Sequence, residues 1–144
     1  MEKLISQLKT ILGTNFALYF KSHGYHWNIE GSNFPQYHAF LDDFYTSVFA
    51  QTDLIAEHIR QLDSFAPGSL TRILELADIT ESTNIPDAMA MMREIKADND
   101  RYIIHLRAGI AAADAAGEPA VSNFLQDLLA AHQKKAWMLR SITK

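Results

Sequence analysis

The segment that decides both the fold and the chemistry of this chain runs from residue 26 to residue 57 and reads HWNIEGSNFPQYHAFLDDFYTSVFAQTDLIAE. It contains five side chains of the kind that bind metals, namely His26, His38, Asp42, Asp53 and Glu57. Imidazole and carboxylate groups together suit iron, manganese or zinc. The segment therefore predicts a metal site.

The spacing of these residues limits how such a site can be built. His38 and Asp42 are four positions apart, as are Asp53 and Glu57, so each pair shares one face of a helix. His38 and Asp53 are separated by 15 positions, which is about 22 Å along a continuous helix. Within one straight helix the two pairs cannot hold the same ion. They could meet only if a second copy of the helix ran antiparallel to the first.

The whole chain has the apolar periodicity of helices, broken by a few groups of turn residues. Glu30–Asn33 and Gly117–Pro119 form two of these breaks, and Ala66-Pro67-Gly68 forms the third. We predict an all-α four-helix bundle that forms one domain over residues 1–144. Its long helices are expected at about 3–28, 35–63, 86–115 and 120–140, with a short extra helix from Ser69 in the connection between helices two and three.

The second helix carries two stripes on its helical wheel. One stripe is apolar and is expected to face the core of the same subunit: Tyr37, Leu41, Phe44, Val48, Ile55, Ile59 and Leu62. The other mixes ligand-type residues with aromatic ones: His38, Asp42, Tyr45, Phe49, Asp53, Ala56 and Glu57. Because a helix with two organised stripes has two neighbours, the second stripe is predicted to face a partner.

The composition excludes several kinds of binding site and several classes of protein. Lys+Arg number 13 against 17 Asp+Glu, and the net charge of −4 argues against binding nucleic acid by general electrostatics. There is no cysteine, so disulfides and thiolate metal sites are excluded. We see neither a secretory signal nor an apolar run long enough for a membrane span, and we expect a cytoplasmic protein.

The ligand-type residues have two other interpretations. Bundle di-iron sites use Glu-x-x-His motifs, and no Glu here has a His three residues later, so an intra-bundle site of that type is not encoded. Alternatively, the two histidines lie on a helix surface and the three acids on a solvated face. The aromatic residues on the same stripe argue against a purely solvated face.

The segment from residue 26 to residue 57 resembles the signature of the Dps family, the DNA-protection mini-ferritins. The resemblance is carried by His26-Trp27-Asn28, Gly31, Phe34, His38 and an Asp-x-x-Ala-Glu run from Asp53 to Glu57, followed by Arg60 and Leu62. Near the end of the chain, Trp137-Met138-Leu139-Arg140 is similar to the closing motif of that family. The resemblance covers essentially the whole chain.

This resemblance implies a ferritin-like four-helix bundle with a short extra helix between the second and third helices. It also implies a hollow dodecamer with ferroxidase centres at its two-fold interfaces. It implies that one subunit contributes His26, His38 and Asp42 and the other contributes Asp53 and Glu57. The family binds Fe(II) there, oxidises it preferentially with hydrogen peroxide and stores Fe(III) inside the shell. Trp27 would then either accept a stray oxidising equivalent or pack at the interface.

The chain also departs from the family pattern. With only Lys3 and Lys9 near its start, it lacks a lysine-rich N-terminal tail, which does not favour DNA binding. Glu118 and Asp127 could line an iron-entry pore, although helix-end carboxylates are the simpler interpretation.

Two alternative functions remain open: a cage acting mainly in DNA compaction, and a bundle that binds Zn²⁺ or Mn²⁺ without turnover. His23 could neighbour the site, whereas His58, His105 and His132 are expected to be packing or surface residues.

Overall fold

The computed structural model describes all 144 residues and contains five helices and no strand. The helices are α1 Glu2–Asn28, α2 Phe34–Gln61, α3 Leu70–Leu76, α4 Ala88–Ala116 and α5 Pro119–Ile142. The predicted all-α architecture, with four long helices and a short one in the second connection, is confirmed. α3 begins directly after Ser69, close to the predicted start, and the Ser69 side chain caps it by accepting a hydrogen bond from the backbone N–H of Arg72.

The four long helices form a ring in the order α1, α2, α5, α4. The backbone of α1 approaches both α2 and α4, and α5 packs along α4. Residues early in α1 contact residues late in α2 and α4, so α1 is antiparallel to both; Asn15 bonds to Val48, for example, whereas His26 bonds to His38. The helices α2 and α4 are therefore parallel and diagonal to each other, which explains why a long connection with its own short helix joins them.

The apolar stripe predicted for α2 forms part of the core. Its five central members are buried to 1% exposure or less: Leu41, Phe44, Val48, Ile55 and Ile59. Full burial of each such side chain stabilises the fold by about 1.5–3 kcal/mol. The flanking Tyr37 and Leu62 pack against this core while half-buried. One face of α2 therefore packs in the interior of its own subunit.

For α4, the apolar periodicity of the sequence predicts an inward face made of Met89, Met92, Ile103, Leu106 and Ile110. This prediction is partly wrong. Met92 and Leu106 are buried as expected, but Met89, Ile103 and Ile110 are only half-buried. The face that packs inward is displaced around the helix and runs through Met91, Ile95, Asp98, Asn99, Tyr102, Leu106 and Ala113. Because Asp98 and Asn99 on this face are polar, the apolar pattern of the sequence does not follow the buried face of α4.

The short helix α3 packs against α1 at Gly13. A Cβ atom at this position would lie 2.8 Å from Leu76 Cβ and 2.9 Å from the carbonyl oxygen of Ile73. The connection after α3 is also attached to α1, because Thr14 Oγ1 accepts from the backbone N–H of Asp78 and Lys21 Nζ donates to the carbonyl of Thr80. α3 therefore lies over the side of α1 that faces away from α5.

Candidate metal centre

His26 and His38 form a reciprocal pair, which we call the histidine clasp. Nδ1 of each ring lies 2.8 Å from the backbone carbonyl oxygen of the other residue. The two rings stack with centroids 3.7 Å apart and planes within 14°. The clasp joins the last turn of α1 to the first turns of α2.

The clasp also fixes the protonation pattern of both rings. A carbonyl oxygen only accepts hydrogen bonds, so each Nδ1 carries the proton that it donates. In a neutral ring, Nε2 then holds a free lone pair, which is the form that binds a metal. Holding the tautomer through the second nitrogen is how proteins orient metal-binding histidines. The residues present therefore fit an N/O-coordinated ion such as iron.

The local sequence explains why the clasp forms. Gly31, at φ 124°, makes the reversal between the two helices, a backbone conformation that side chains disfavour. Pro35 then lies in the first turn of α2, where it needs no N–H partner. Phe34 stacks on His38 with ring centroids 4.8 Å apart, so this imidazole lies between Phe34 and His26.

An aromatic wall continues from the clasp along α1 and α2. Tyr45 lies 5.1 Å from the ring of His26 and stacks on His23 at 3.7 Å. His23 in turn contacts Trp27 at 4.3 Å, and its Nδ1 is 3.0 Å from the hydroxyl of Tyr19. Burial lowers the pKa of His23, the neighbouring His26 lowers it further, and Asp42 opposes them. His23 thus lies beside the predicted ligands, as the sequence suggested.

The three predicted carboxylates are all exposed on the outer stripe of α2. Asp42 accepts only a long contact of 3.5 Å from Thr46 Oγ1. Asp53 lies about 22 Å along the helix from the level of His38, and Glu57 lies one turn further on. Nowhere in the single chain do three His, Asp or Glu side chains gather as a metal site. One chain therefore brings together His26 and His38, with Asp42 one turn further on, and leaves the other two ligands apart.

The surroundings of these carboxylates are unusually apolar for a solvated surface. Phe49, between the two carboxylate-bearing turns of α2, is 53% exposed, and Trp27 on α1 is 57% exposed. Leu54 and Phe20 are each about half exposed on the same pair of helices. Large apolar side chains next to unpaired ligand-type residues are typical of a surface that a partner covers.

The centre of the bundle contains no metal ligand set. Each long helix contributes uncharged polar side chains there instead, all buried: Asn15, Gln51, Asn99, Tyr102 and His132. His132 is fully buried and so is a packing residue, as expected, but its hydrogen bonds to α2 and α4 were not foreseen. The signal that could have revealed them is the polar residue at position 99 within the inward face of α4.

The remaining predictions concern pore residues and the membrane. Glu118 precedes the first residue of α5 and is half-buried, and Asp127 is exposed on α5. Their lining of a pore stays a prediction, because a pore would form between subunits. No helix of the chain is both long enough and apolar enough to cross a membrane.

Comparison with known proteins identifies the family. The model of the ferritin-like domain matches residues 5–144. The DNA protection during starvation protein of Brevibacillus brevis is 30% identical over 125 residues, which cover 87% of this chain and 84% of that protein. The chain is a Dps member of the ferritin-like family.

Solved structures of this family agree with that assignment. The crystal structure of antigen TpF1 from Treponema pallidum has a TM-score of 0.94 at 30% identity, covering 98% of this chain and 91% of that one. The Dps protein from Vibrio cholerae, described as belonging to the ferritin-like diiron-carboxylate proteins, has a TM-score of 0.94 at 28% identity, covering 99% and 90%. The Dps fold is thus shared over essentially the full length.

Proposed function

We propose that the chain is a ferroxidase that oxidises Fe(II) at interfaces between subunits, preferably with hydrogen peroxide, and stores Fe(III) inside a hollow dodecamer. The observation that carries the proposal is the division of the predicted ligands into two half-sites. The histidine clasp and Asp42 form one half-site, and Asp53 with Glu57 forms the other. The three carboxylates are exposed, the two histidines are half-buried, and neither half-site has enough ligands alone.

A single two-fold axis would complete both half-sites at once. His38 and Glu57 have the same midpoint along α2 as Asp42 and Asp53, between residues 47 and 48. An antiparallel copy of α2 related by an axis at this level therefore sets His38 opposite the second copy's Glu57, and Asp42 opposite its Asp53. Two identical sites result, as an isologous interface requires. The exposed Phe49 lies next to the axis and would be buried with its counterpart.

The chemistry of the ligand set suits iron as a substrate. Carboxylate oxygens are hard anionic ligands that favour Fe(III) over Fe(II), and they would draw the equilibrium towards oxidation. In its neutral form each imidazole would add a nitrogen ligand without further negative charge, and the clasp uses Nδ1 of both rings, which leaves Nε2 for a metal. Two Fe(II) ions each give one electron to a peroxide molecule, which becomes two hydroxide ions. The reaction thereby removes two damaging species together.

The test is to add Fe(II) and then hydrogen peroxide to the purified protein without oxygen, and to follow Fe(III) formation by absorbance. We expect oxidation faster than in protein-free buffer. Asp42→Asn and Asp53→Asn should each abolish the acceleration while keeping the fold, because both side chains are exposed. Asp43→Asn, an equally exposed neighbour on α2, is the matched control and should retain activity.

Mixing the two inactive variants tests the sharing of ligands between subunits. After dissociation and random reassembly, half of the interfaces join one variant to the other, and one of the two sites there is intact. About a quarter of the wild-type activity should return. If no activity returns although the mixed assembly forms, ligand sharing across the interface is wrong. Tight Zn²⁺ or Mn²⁺ binding without accelerated iron oxidation would favour the non-catalytic bundle, and DNA retention without oxidation would favour the compaction cage.

A further inference from the structure

The helices α2 and α5 are joined mainly by side chains rather than by close backbone packing. Among the neighbouring long helices, this pair approaches least closely along the backbone. The space between them is bridged by the ring of His58 against Phe124 at 4.4 Å and by Phe44 against His132 at 6.3 Å. Only one side-chain hydrogen bond crosses this seam, and it joins His132 and Gln51.

His132 lies at the centre of this seam and bonds to two helices. Its Nδ1 is 2.6 Å from Asn99 Oδ1, while Asn99 Nδ2 donates to the His132 carbonyl at 3.1 Å. Because its amide nitrogen is used there, Asn99 presents only oxygen to the ring, and Nδ1 must carry a proton. His132 Nε2 faces the side-chain amide of Gln51, whose Oε1 is 3.1 Å away.

The two charge states of the ring require opposite orientations of the Gln51 amide. A neutral ring has its lone pair on Nε2 and needs the amide N–H, whereas a protonated ring needs the amide oxygen. Amide rotation can satisfy either state, so hydrogen bonds alone do not decide between them. Charge does decide, because burying an uncompensated ion in the core costs more free energy than one hydrogen bond to that ion returns.

No negative group is present to compensate a charge on His132. From α2 it is faced by Gln51 and Phe44, and from α4 by Asn99 and Tyr102, none of which is anionic near neutral pH. From α5 it is influenced only by Lys135, which is cationic. Asp98 precedes Asn99 in α4, but its carboxylate pairs with Lys21 at 2.8 Å, on the α1 side.

We propose that Gln51, Asn99 and His132 form an acid-sensitive lock that holds α5 to α2 and α4. The lock is closed while the imidazole is neutral, and a second proton on the ring favours states in which α5 separates and His132 reaches water. The lock lies in the bundle interior and uses none of the predicted metal ligands. It therefore operates in the metal-free protein, independently of the proposed ferroxidase.

The direction of the pH effect follows from proton linkage. Burial, and secondarily Lys135, lowers the pKa of His132 from 6.5 to about 3 in the fold. The unfolded chain therefore binds the extra proton first as pH falls. The stability that the neutral ring contributes is complete above pH 6.5 and is lost progressively as pH falls towards 3.

The experiment compares urea unfolding of metal-free wild-type protein and His132→Gln at fixed protein concentration between pH 6 and pH 4. Over this range the wild-type unfolding equilibrium constant should increase roughly 70-fold more than that of the variant. His58→Gln, the other histidine of the seam, is the matched control and should keep the wild-type pH dependence. Equal pH dependence in wild type and His132→Gln would overturn the proposal.

A second variant and a second measurement cover the case in which His132→Gln does not fold. Gln51→Glu places an anion beside Nε2, which should compensate the imidazolium and flatten the pH dependence. A wild-type pH dependence in that variant contradicts the lock. In the intact wild-type protein, hydrogen–deuterium exchange at the imidazole C2 position should be slow at His132 and show no midpoint above pH 5. A midpoint near 6.5 at His132 would also overturn it.

Discussion

Each imidazole of the histidine clasp has two separate tasks, assigned to its two nitrogens. Nδ1 bonds to the backbone carbonyl across the joint between α1 and α2, and Nε2, which takes no part in the clasp, is the nitrogen that we propose binds a metal. The residue types and their spacing could be read from the sequence, since they depend only on chain position. The clasp itself could not, because each hydrogen bond depends on how the turn at Gly31 brings one residue to the carbonyl of the other.

Substitution of His38 can separate these tasks. In His38→Asn, the amide nitrogen occupies nearly the position of Nδ1 and can still donate to the His26 carbonyl, but no atom replaces Nε2. We expect a melting temperature close to wild type and loss of Co²⁺ binding in isothermal titration calorimetry, with Co²⁺ as a redox-stable probe. His38→Ala, the control, loses the hydrogen bond as well and should be less stable by about 1 kcal/mol. Unchanged Co²⁺ binding by His38→Asn would show that Nε2 is not a ligand.

At the scale of whole elements, the apolar and mixed stripes of α2 could be predicted, because apolar residues recur along α2 with the helical period and coincide with its buried face. The inward face of α4 was not, because Asp98 and Asn99 lie within it. Asp98 is tolerated because Lys21 reaches it from α1 at 2.8 Å, and Asn99 because it bonds to His132 on α5. Such compensation comes from residues distant in sequence, so a local pattern cannot show it.

Gly13 illustrates a constraint at the scale of an element, because α3 packs on α1 at this residue. In an isolated helix, Gly→Ala is favourable by about 0.5–1 kcal/mol, and Gly24→Ala should gain that amount because nothing lies within 4 Å of its Cβ position. Gly13→Ala should instead lose about 1–3 kcal/mol, because its Cβ would overlap α3 at Leu76 and Ile73. Urea unfolding of the two variants provides the comparison. Similar gains in both would mean that α3 does not pack tightly on α1.

At the scale of the whole molecule, the structure of one chain leaves the mixed stripe of α2 without a neighbour. The subunit's own core uses the opposite face of this helix, and Asp42, Phe49, Asp53 and Glu57 remain exposed. The need for a second copy could be predicted from the ligand spacing, because the distance of about 22 Å between His38 and Asp53 follows from helix geometry alone. The number of subunits could not be predicted from this spacing, since it depends on contacts between subunits outside the α2 stripe.

Phe49 provides a test of the interface that leaves every predicted ligand in place. It is 53% exposed beside the proposed axis, and its ring packs on Tyr19 with centroids 4.7 Å apart. In Phe49→Asp, two like charges would face each other across the axis, and each subunit would lose about 1.5–3 kcal/mol of apolar burial. We expect size-exclusion chromatography with light scattering to show smaller species, and iron oxidation to fall with the assembled fraction. Ile104→Asp, 62% exposed on the diagonal helix α4, should leave oxidation at this interface unchanged. A Phe49→Asp protein that assembles and oxidises iron like wild type would exclude the α2 stripe as the site of ligand sharing.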